Sequence, residues 1–365
     1  MSIRSATSAL MPLTEALARL LVAAPVPSSL VLVGEAVGLV LADDVAAATE
    51  FPITASARRD GWAVAGADVT GASAYAPVGL LSAPRWVEAG DGMPLGTDTV
   101  LPPEALDTSG EIVADAALGE GVSRGGQEIA HDDLLARSGL RLTPLGAVAL
   151  EAAGIRKVAI RRPHILVIGI GDGPSSSVAD AVAAWAVAAG GRVTRGRSAR
   201  DMESIARAMT VELADAMFVV GGTGLGRTDH SAAALARRGR LDAHGIALRP
   251  GESTGFGWLG TVPTLLLPGR PDSALAAFLA LGRPLLARLS GMMVSTRPKA
   301  PLSRKISSSI GMTEIVFARL SNGIVEPLGG ADLPLRRLIL AEGAVLVPPE
   351  REGYPEGELV EIIPL

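Results

Sequence analysis

From His164 onward the chain alternates strand-like apolar runs, loops and helical runs, and that alternation admits few folds. A strand over 164–170 leads through the loop GDGPSSS to a helix over 178–189. Strand 192–194, helix 202–214, strand 217–220, a glycine loop, helix 231–238, strand 264–267, the turn PGRP and helix 273–289 continue the series. Repeated β-α units predict an α/β domain around a mostly parallel sheet. Such sheets place their ligands outside the carboxyl ends of the strands, where the loops 171–177, 221–229 and 268–272 fall.

The rest of the chain reads differently. Residues 14–24 have apolar spacing for a short helix with Thr14 as its N-cap, ended by Pro25 and Pro27. Residues 30–48 mix strand and helix signals, and periodicity alone does not decide between them. Residues 51–120 hold short β-like runs such as GWAV at 61–64 and TVL at 99–101 between turn residues, as an inserted β module would. Residues 134–154 return to helix, with Leu145, Val148, Ala149 and Ala152 on one face and Gly154 at the C-terminal end. From Pro298 on, short alternating runs predict a small C-terminal β domain. A chain of 365 residues exceeds what one core usually serves.

Composition excludes several classes of function. With no cysteine there is no disulfide, thiolate metal site or cysteine nucleophile, and four scattered histidines do not propose zinc, so any metal should be a hard, oxygen-bound one. No uncharged apolar run approaches the roughly 20 residues a bilayer requires, and the N-terminus lacks an apolar signal region. No membrane partner and a cytoplasmic location are expected. The net charge of −5 argues against a nucleic-acid partner. Yet 161–291 carries 15 Arg and no Lys against 10 Asp and Glu, so the central segment favours anions while the remainder is strongly acidic.

Three motifs bear on chemistry, and each has a plain structural reading beside the functional one. GGTGLG at 221–226 leaves backbone N–H groups open to an anion, phosphate above all, but a glycine-rich turn needs no ligand. Its spacing matches neither the dinucleotide-binding nor the Walker fingerprint. Asp229 at the end of this loop is either the N-cap of the next helix or an oxygen ligand for Mg²⁺. In LPGRPDS (267–273) the Pro271 helix start and Arg270 could converge on one anion, or simply begin a helix. Asp60 in RRDGWAV fits a hairpin turn equally well.

Taken in order, these segments resemble the molybdopterin molybdenumtransferase family of the MoeA type, which includes the C-terminal domain of gephyrin. RDGWAV (59–64) is similar to M-D-G-Y-A-V, GQEI (126–129) to G-E-D-I, and IGIGDGP (168–174) stands where the family has S-T-G-D-E-L. GGTGLGRTD (221–229) resembles G-G-V-S-V-G-x-x-D, LRPGES (248–253) resembles I-K-P-G-K-P, and LPGRPDS resembles L-P-G-N-P-V-S. The resemblance spans the chain and implies a homodimer of four-domain subunits: a discontinuous helical domain (1–48 with 135–160), an inserted β domain (49–134), an α/β molybdopterin-binding domain (161–292) and a C-terminal β-barrel (297–365). It implies insertion of molybdenum from molybdate into adenylylated molybdopterin with Mg²⁺ and release of AMP. Carried over by position, Gly221, Gly222, Thr223, Gly224, Arg249, Pro268, Gly269, Arg270 and Pro271 would bind the pterin and its phosphate. Asp60, Glu128, Asp172 and Asp229 would take the acidic roles, with Asp172 and Asp229 holding the metal.

The departures open a second reading. Ala89 stands where the family has threonine, Glu128 replaces aspartate, Gly173 replaces glutamate, Arg249 replaces lysine and Arg270 replaces asparagine. Glu252 replaces a lysine and reverses a charge, which at about 4 Å and an effective dielectric near 20 is worth roughly 4 kcal/mol. A carrier or scaffold that binds molybdopterin or finished cofactor without inserting the metal, and serves a molybdoenzyme, is the alternative.

Overall fold

The computed structural model describes residues 10–210, 214–293 and 296–365. The chain forms two compact units: Leu30–Ala159, and Met1–Ser29 together with Ile160–Leu365.

The larger unit holds a six-stranded sheet. Its strands are β1 (His164–Ile170), β2 (Arg192–Ser198), β3 (Ala216–Val220), β4 (Arg240–His244), β6 (Gly255–Leu259) and β7 (Val262–Leu267); a short β5 (Leu248–Arg249) lies outside this sheet. The order is β2-β1-β3-β7-β6-β4. The first four are mutually parallel, and β6 and β4 add antiparallel strands at the far edge. Both faces of β1, β3 and β7 are buried, so their apolar residues run on without polar alternation, while the edge strand β2 is largely exposed. Ile165, Val167, Phe218, Val220, Leu265 and Leu267 face one core, and Ile168, Ile170, Met217, Val219 and Leu266 the other. Helices α1 (Leu13–Leu20), α2 (Pro174–Ala188) and α5 (Pro271–Ser290) contribute to the first core. There the Trp185 and Phe218 rings flank Phe278, at 5.7 and 6.3 Å between centroids. Helices α3 (Met202–Ala208) and α4 (Ser231–Arg238) contribute to the second.

Several expectations change. Strand β2 runs to Ser198, four residues past the expected end, because its arginines lie on an exposed strand and hide the strand signal. Helix α3 ends at Ala208 rather than at 214; the expectation for 211–213 lies outside the described residues. Helix α1 begins at Leu13 after Pro12, with no side-chain cap, so Thr14 is not its N-cap. Helix α5 is long and apolar enough by length and composition to cross a bilayer, but it carries Asp272, Arg283 and Arg288, and 72% of its apolar window is buried in the protein. A π turn at Phe278–Gly282 interrupts it, just before Pro284, which has no N–H to give the preceding turn.

After residue 296 this unit continues with β8 (Thr313–Ser321), β9 (Ile324–Gly329), α6 (Leu335–Leu338), β10 (Gly343–Val347) and β11 (Ile363–Pro364). Strand β8 pairs with β5, β9 and β10, and β10 with β11. The remaining strands there form separate two-stranded ladders, so the described residues make no closed barrel, contrary to expectation.

The smaller unit is built of short strands. Gly61–Val64 pairs with Arg85–Val87 and Thr99–Leu101, and Ser73–Val78 with Ile112–Ala114. The ambiguous residues after 29 resolve into strand Ser29–Leu32, one helical turn at Val33–Ala36, and strands Val40–Leu41 and Val45–Ala46. Helix Pro144–Ala152 is capped by Thr143, whose hydroxyl accepts the Gly146 N–H at 2.9 Å. Its buried residues are Ala147 and Leu150, while Leu145 and Val148 are 81% and 63% exposed. The predicted face is wrong because PLGAVALEA is apolar all round, so spacing could not choose a side.

Candidate functional site

The carboxyl ends of the four parallel strands meet at one cavity of about 560 Å³. From β3 come Gly221, Gly222, Thr223, Gly224, Thr228 and Asp229; from β7 come Pro268, Gly269, Arg270, Asp272 and Ser273. Ile170 ends β1, Arg200 follows β2, Arg249 to Ser253 lead into β6, and Ala331 and Asp332 follow β9. The Gly221 N–H donates to the Leu267 carbonyl at 2.9 Å and ties the two principal tips together.

The glycine loop folds back on the start of α4. Gly221 and Gly222 have φ of +98° and +63°, where side chains are strained. The Ser231 hydroxyl donates to the Gly221 carbonyl at 2.7 Å, and the Ser231 N–H to the Gly222 carbonyl at 3.0 Å. A Cβ on Gly222 would come within 2.9 Å of that hydroxyl oxygen. Asp229 is not the N-cap of α4: His230 holds that place, and Asp229 Oδ2 instead accepts the Gly226 N–H at 3.0 Å. A Cβ on Gly224 would lie 2.6 Å from Oδ2, so this glycine makes room for the carboxylate. The N–H groups of Gly222, Thr223 and Gly224 have no acceptor among the described residues. Thr223 is held from two sides: its hydroxyl shares a hydrogen bond with Ser253 Oγ at 3.1 Å, and its carbonyl accepts from His244 Nε2 at 2.8 Å.

The opposite wall is charged. Arg270 is the residue before α5, and Pro271 occupies the first turn, where its missing N–H costs nothing. Pro271 does not line the cavity. The Asp272 side chain is only 3% exposed, and its two oxygens face Arg270 Nε and Nη2 at 3.4 Å each. Asp272 Oδ2 also accepts the Asp332 N–H at 3.1 Å, and Arg270 Nη2 reaches the Asp332 carboxylate at 2.9 Å. Asp272, then Asp332, raise the Arg270 pKa above its usual value, so the guanidinium stays charged. Arg270 faces the cavity with its charge already paired to Asp272 and Asp332. Glu252 lines the cavity as well, with Oε2 accepting the Gly251 N–H at 3.1 Å. Three arginines therefore stand against four carboxylates, so the lining is not the cationic one the central segment's composition implied. Arg200 and Arg249 have no ion-pair partner among the described residues.

Asp172 is exposed and lies outside the lining, so the structure does not bring it and Asp229 to this cavity as the expected metal pair. No group of three or more Asp, Glu or His able to hold a metal occurs among the described residues. In the smaller unit, Asp60 Oδ1 accepts the Ala89 N–H at 2.8 Å, and Glu128 Oε1 accepts from the Ser123 hydroxyl at 3.1 Å. Sequence reasoning missed Arg200, Ser253 and Asp332. Arg200 would have emerged had β2 been extended to its full length; nothing near Asp332 signals its place beside Arg270.

Comparison with known proteins follows this architecture. Three family models match in succession: the MoeA N-terminal region (domain I and II) over residues 11–154, the probable molybdopterin binding domain over 174–288, and the MoeA C-terminal region (domain IV) over 299–365. Molybdopterin molybdenumtransferase 1 of Mycobacterium tuberculosis is 28% identical over 94% of this chain and 96% of its own. Molybdopterin molybdenumtransferase 2 of the same organism is 27% identical over 90% and 93%. The crystal structure of the molybdopterin biosynthesis MoeA protein from Pyrococcus horikosii superposes with a TM-score of 0.73 at 26% identity, covering 97% of this chain and 99% of that one.

Proposed function

This chain belongs to the MoeA family, and from that premise we propose that it acts in molybdenum cofactor biosynthesis as a molybdopterin molybdenumtransferase, inserting molybdenum from molybdate into adenylylated molybdopterin with release of AMP. The observation that carries this reading is the convergence of the four parallel strand tips on one cavity that joins unpartnered loop amides to two unpaired arginines. Preorganised N–H groups and cations stabilise charge on phosphate oxygens without reorganising when the substrate arrives. In this reading the amides of Gly222, Thr223 and Gly224 cradle the phosphate, Arg249 and Arg200 face the remaining oxyanions, and Pro268 and Gly269 shape the pterin side.

Magnesium fits Asp229. The ion takes one or two carboxylates and fills its other positions from substrate oxygens and water, so one half-buried aspartate in a carboxylate-rich lining suffices. Bound there it would offset charge on the phosphoanhydride. Asp172, Asp60 and Glu128 keep acidic roles only as part of the family analogy. A homodimer, also proposed, is supported by the exposed Leu145 and Val148 on the helix of the smaller unit. The cytoplasm is the compartment this chemistry calls for.

The second reading, a molybdopterin carrier without insertase activity, draws on Glu252 and the matched charge of Arg270. Incubating the purified protein with adenylylated molybdopterin, molybdate and Mg²⁺ and following AMP by chromatography separates the two. Insertase activity predicts AMP release dependent on both molybdate and Mg²⁺. Tight pterin binding without AMP assigns the carrier role, and absence of both rejects the site.

A further inference from the structure

Arg270 is held by two carboxylates of different standing. Asp272 is buried and grips the guanidinium from the protein side, while Asp332 is 82% exposed and meets the same Nη2 from the solvent side. Asp332 does not drift there by accident of a free side chain. Its backbone N–H is anchored on Asp272 Oδ2, and its φ of +59° lies in the left-handed region, which aspartate enters more readily than most side chains. One buried carboxylate thus positions both the guanidinium and the carboxylate that occupies it. Neither Asp229 nor Glu252 pairs with Arg270, although both line the same cavity.

We propose that Asp332 competes with the incoming substrate for Arg270 and so sets how tightly the cavity holds a tetrahedral dianion. This rests on the reading that the cavity receives a molybdate or phosphate group. An exposed ion pair is weak and screened by water, so an anion of two charges can displace Asp332. Asp272 meanwhile keeps the guanidinium at the wall. The buried pair fixes position, and the exposed pair sets affinity.

The test titrates molybdate, and separately inorganic phosphate, calorimetrically into the full-length protein at low ionic strength. Wild type is compared with Asp332→Asn and with Glu252→Gln, which removes a lining charge that does not touch Arg270. The same Asp332→Asn change is then made in an Arg270→Gln/Asp272→Asn background, which leaves no buried carboxylate unpaired and protects the fold. Asp332→Asn should tighten binding about twofold to fivefold in the native background, more than Glu252→Gln does, and the gain should vanish in the altered one. A gain for phosphate alone assigns the exchange to the substrate's phosphate; a gain for molybdate alone assigns it to the metal source. No gain, an equal gain in both backgrounds, or no binding by any variant overturns the proposal. AMP release by wild type is scored separately, so a failed competition is distinguishable from a failed insertase reading.

Discussion

At the glycine loop the cavity is bounded by backbone: Gly221 and Gly222 take conformations side chains resist, Asp229 closes the turn on Gly226, and three amides stay uncommitted. At the turn that opens α5 it is bounded by side chains, with one arginine fixed between a buried and an exposed aspartate. The loop has its donors ready and needs no rearrangement to receive an anion. The turn has its cation already engaged, so an anion must first displace something. One side of a binding site can therefore be prepared for its ligand while the other is held in check.

Removing the centre of the charged side should have the largest effect. Asp272→Ala strands three donors, and although the exposed Arg270 rehydrates, unfolding stability in urea should fall by about 2 kcal/mol. A neutral outcome would mean the charged wall does not hold the Asp332 loop. Next, Gly222→Ala tests the backbone side: its left-handed φ and the nearby Ser231 hydroxyl predict a loss of about 1 kcal/mol of stability, with weakened pterin binding. The same binding loss without destabilisation would show that the added methyl fills the cavity rather than straining the loop.

The arginines sharpen the contrast. Arg249 has no carboxylate to release, so Arg249→Ala should lower kcat/KM for adenylylated molybdopterin about tenfold, in line with about 1.4 kcal/mol for a charge-assisted bond. Arg270→Gln should cost less, because its charge is shared with Asp272 and Asp332; a larger loss for Arg270 would reverse their ranking. The smallest effect belongs to Asp201, which caps α3 just after Arg200 and accepts the Ser204 N–H at 2.9 Å. The backbone N–H of Ser204, then its hydroxyl, lowers the Asp201 pKa below the usual 3.8. The cap's contribution is therefore complete above that value and is lost as pH falls through the depressed folded-state one. The stability difference between wild type and Asp201→Ala should accordingly shrink in acid, and a difference independent of pH would show that charge plays no part.

How much of this could be read from the residues depended on where the signal lay. Strands β1 and β3 declared themselves because burial on both faces demands unbroken apolar runs, and the tips at 221 and 268 followed from strand-loop-helix order. Strand β2 was cut short because Arg195 and Arg197 obscure the strand, and Arg200 was lost with it. The antiparallel pair β4 and β6 went unrecognised because RLDAH and GFGWL alternate weakly. Asp332 was beyond reach, since its partnership with Arg270 joins residues 62 positions apart, in loops that follow strands of different sheets. The charge reversal at Glu252 was visible in the sequence; that Arg270 is already engaged by two aspartates depends on side-chain geometry.

The bond from the Asp332 N–H to Asp272 means that the cavity is not the property of the α/β layer alone. A chain cut after residue 292 would keep every strand of the six-stranded sheet and lose one wall of its pocket. Ligand affinities measured on such a fragment would describe a wider, less acidic opening than the one the whole protein presents.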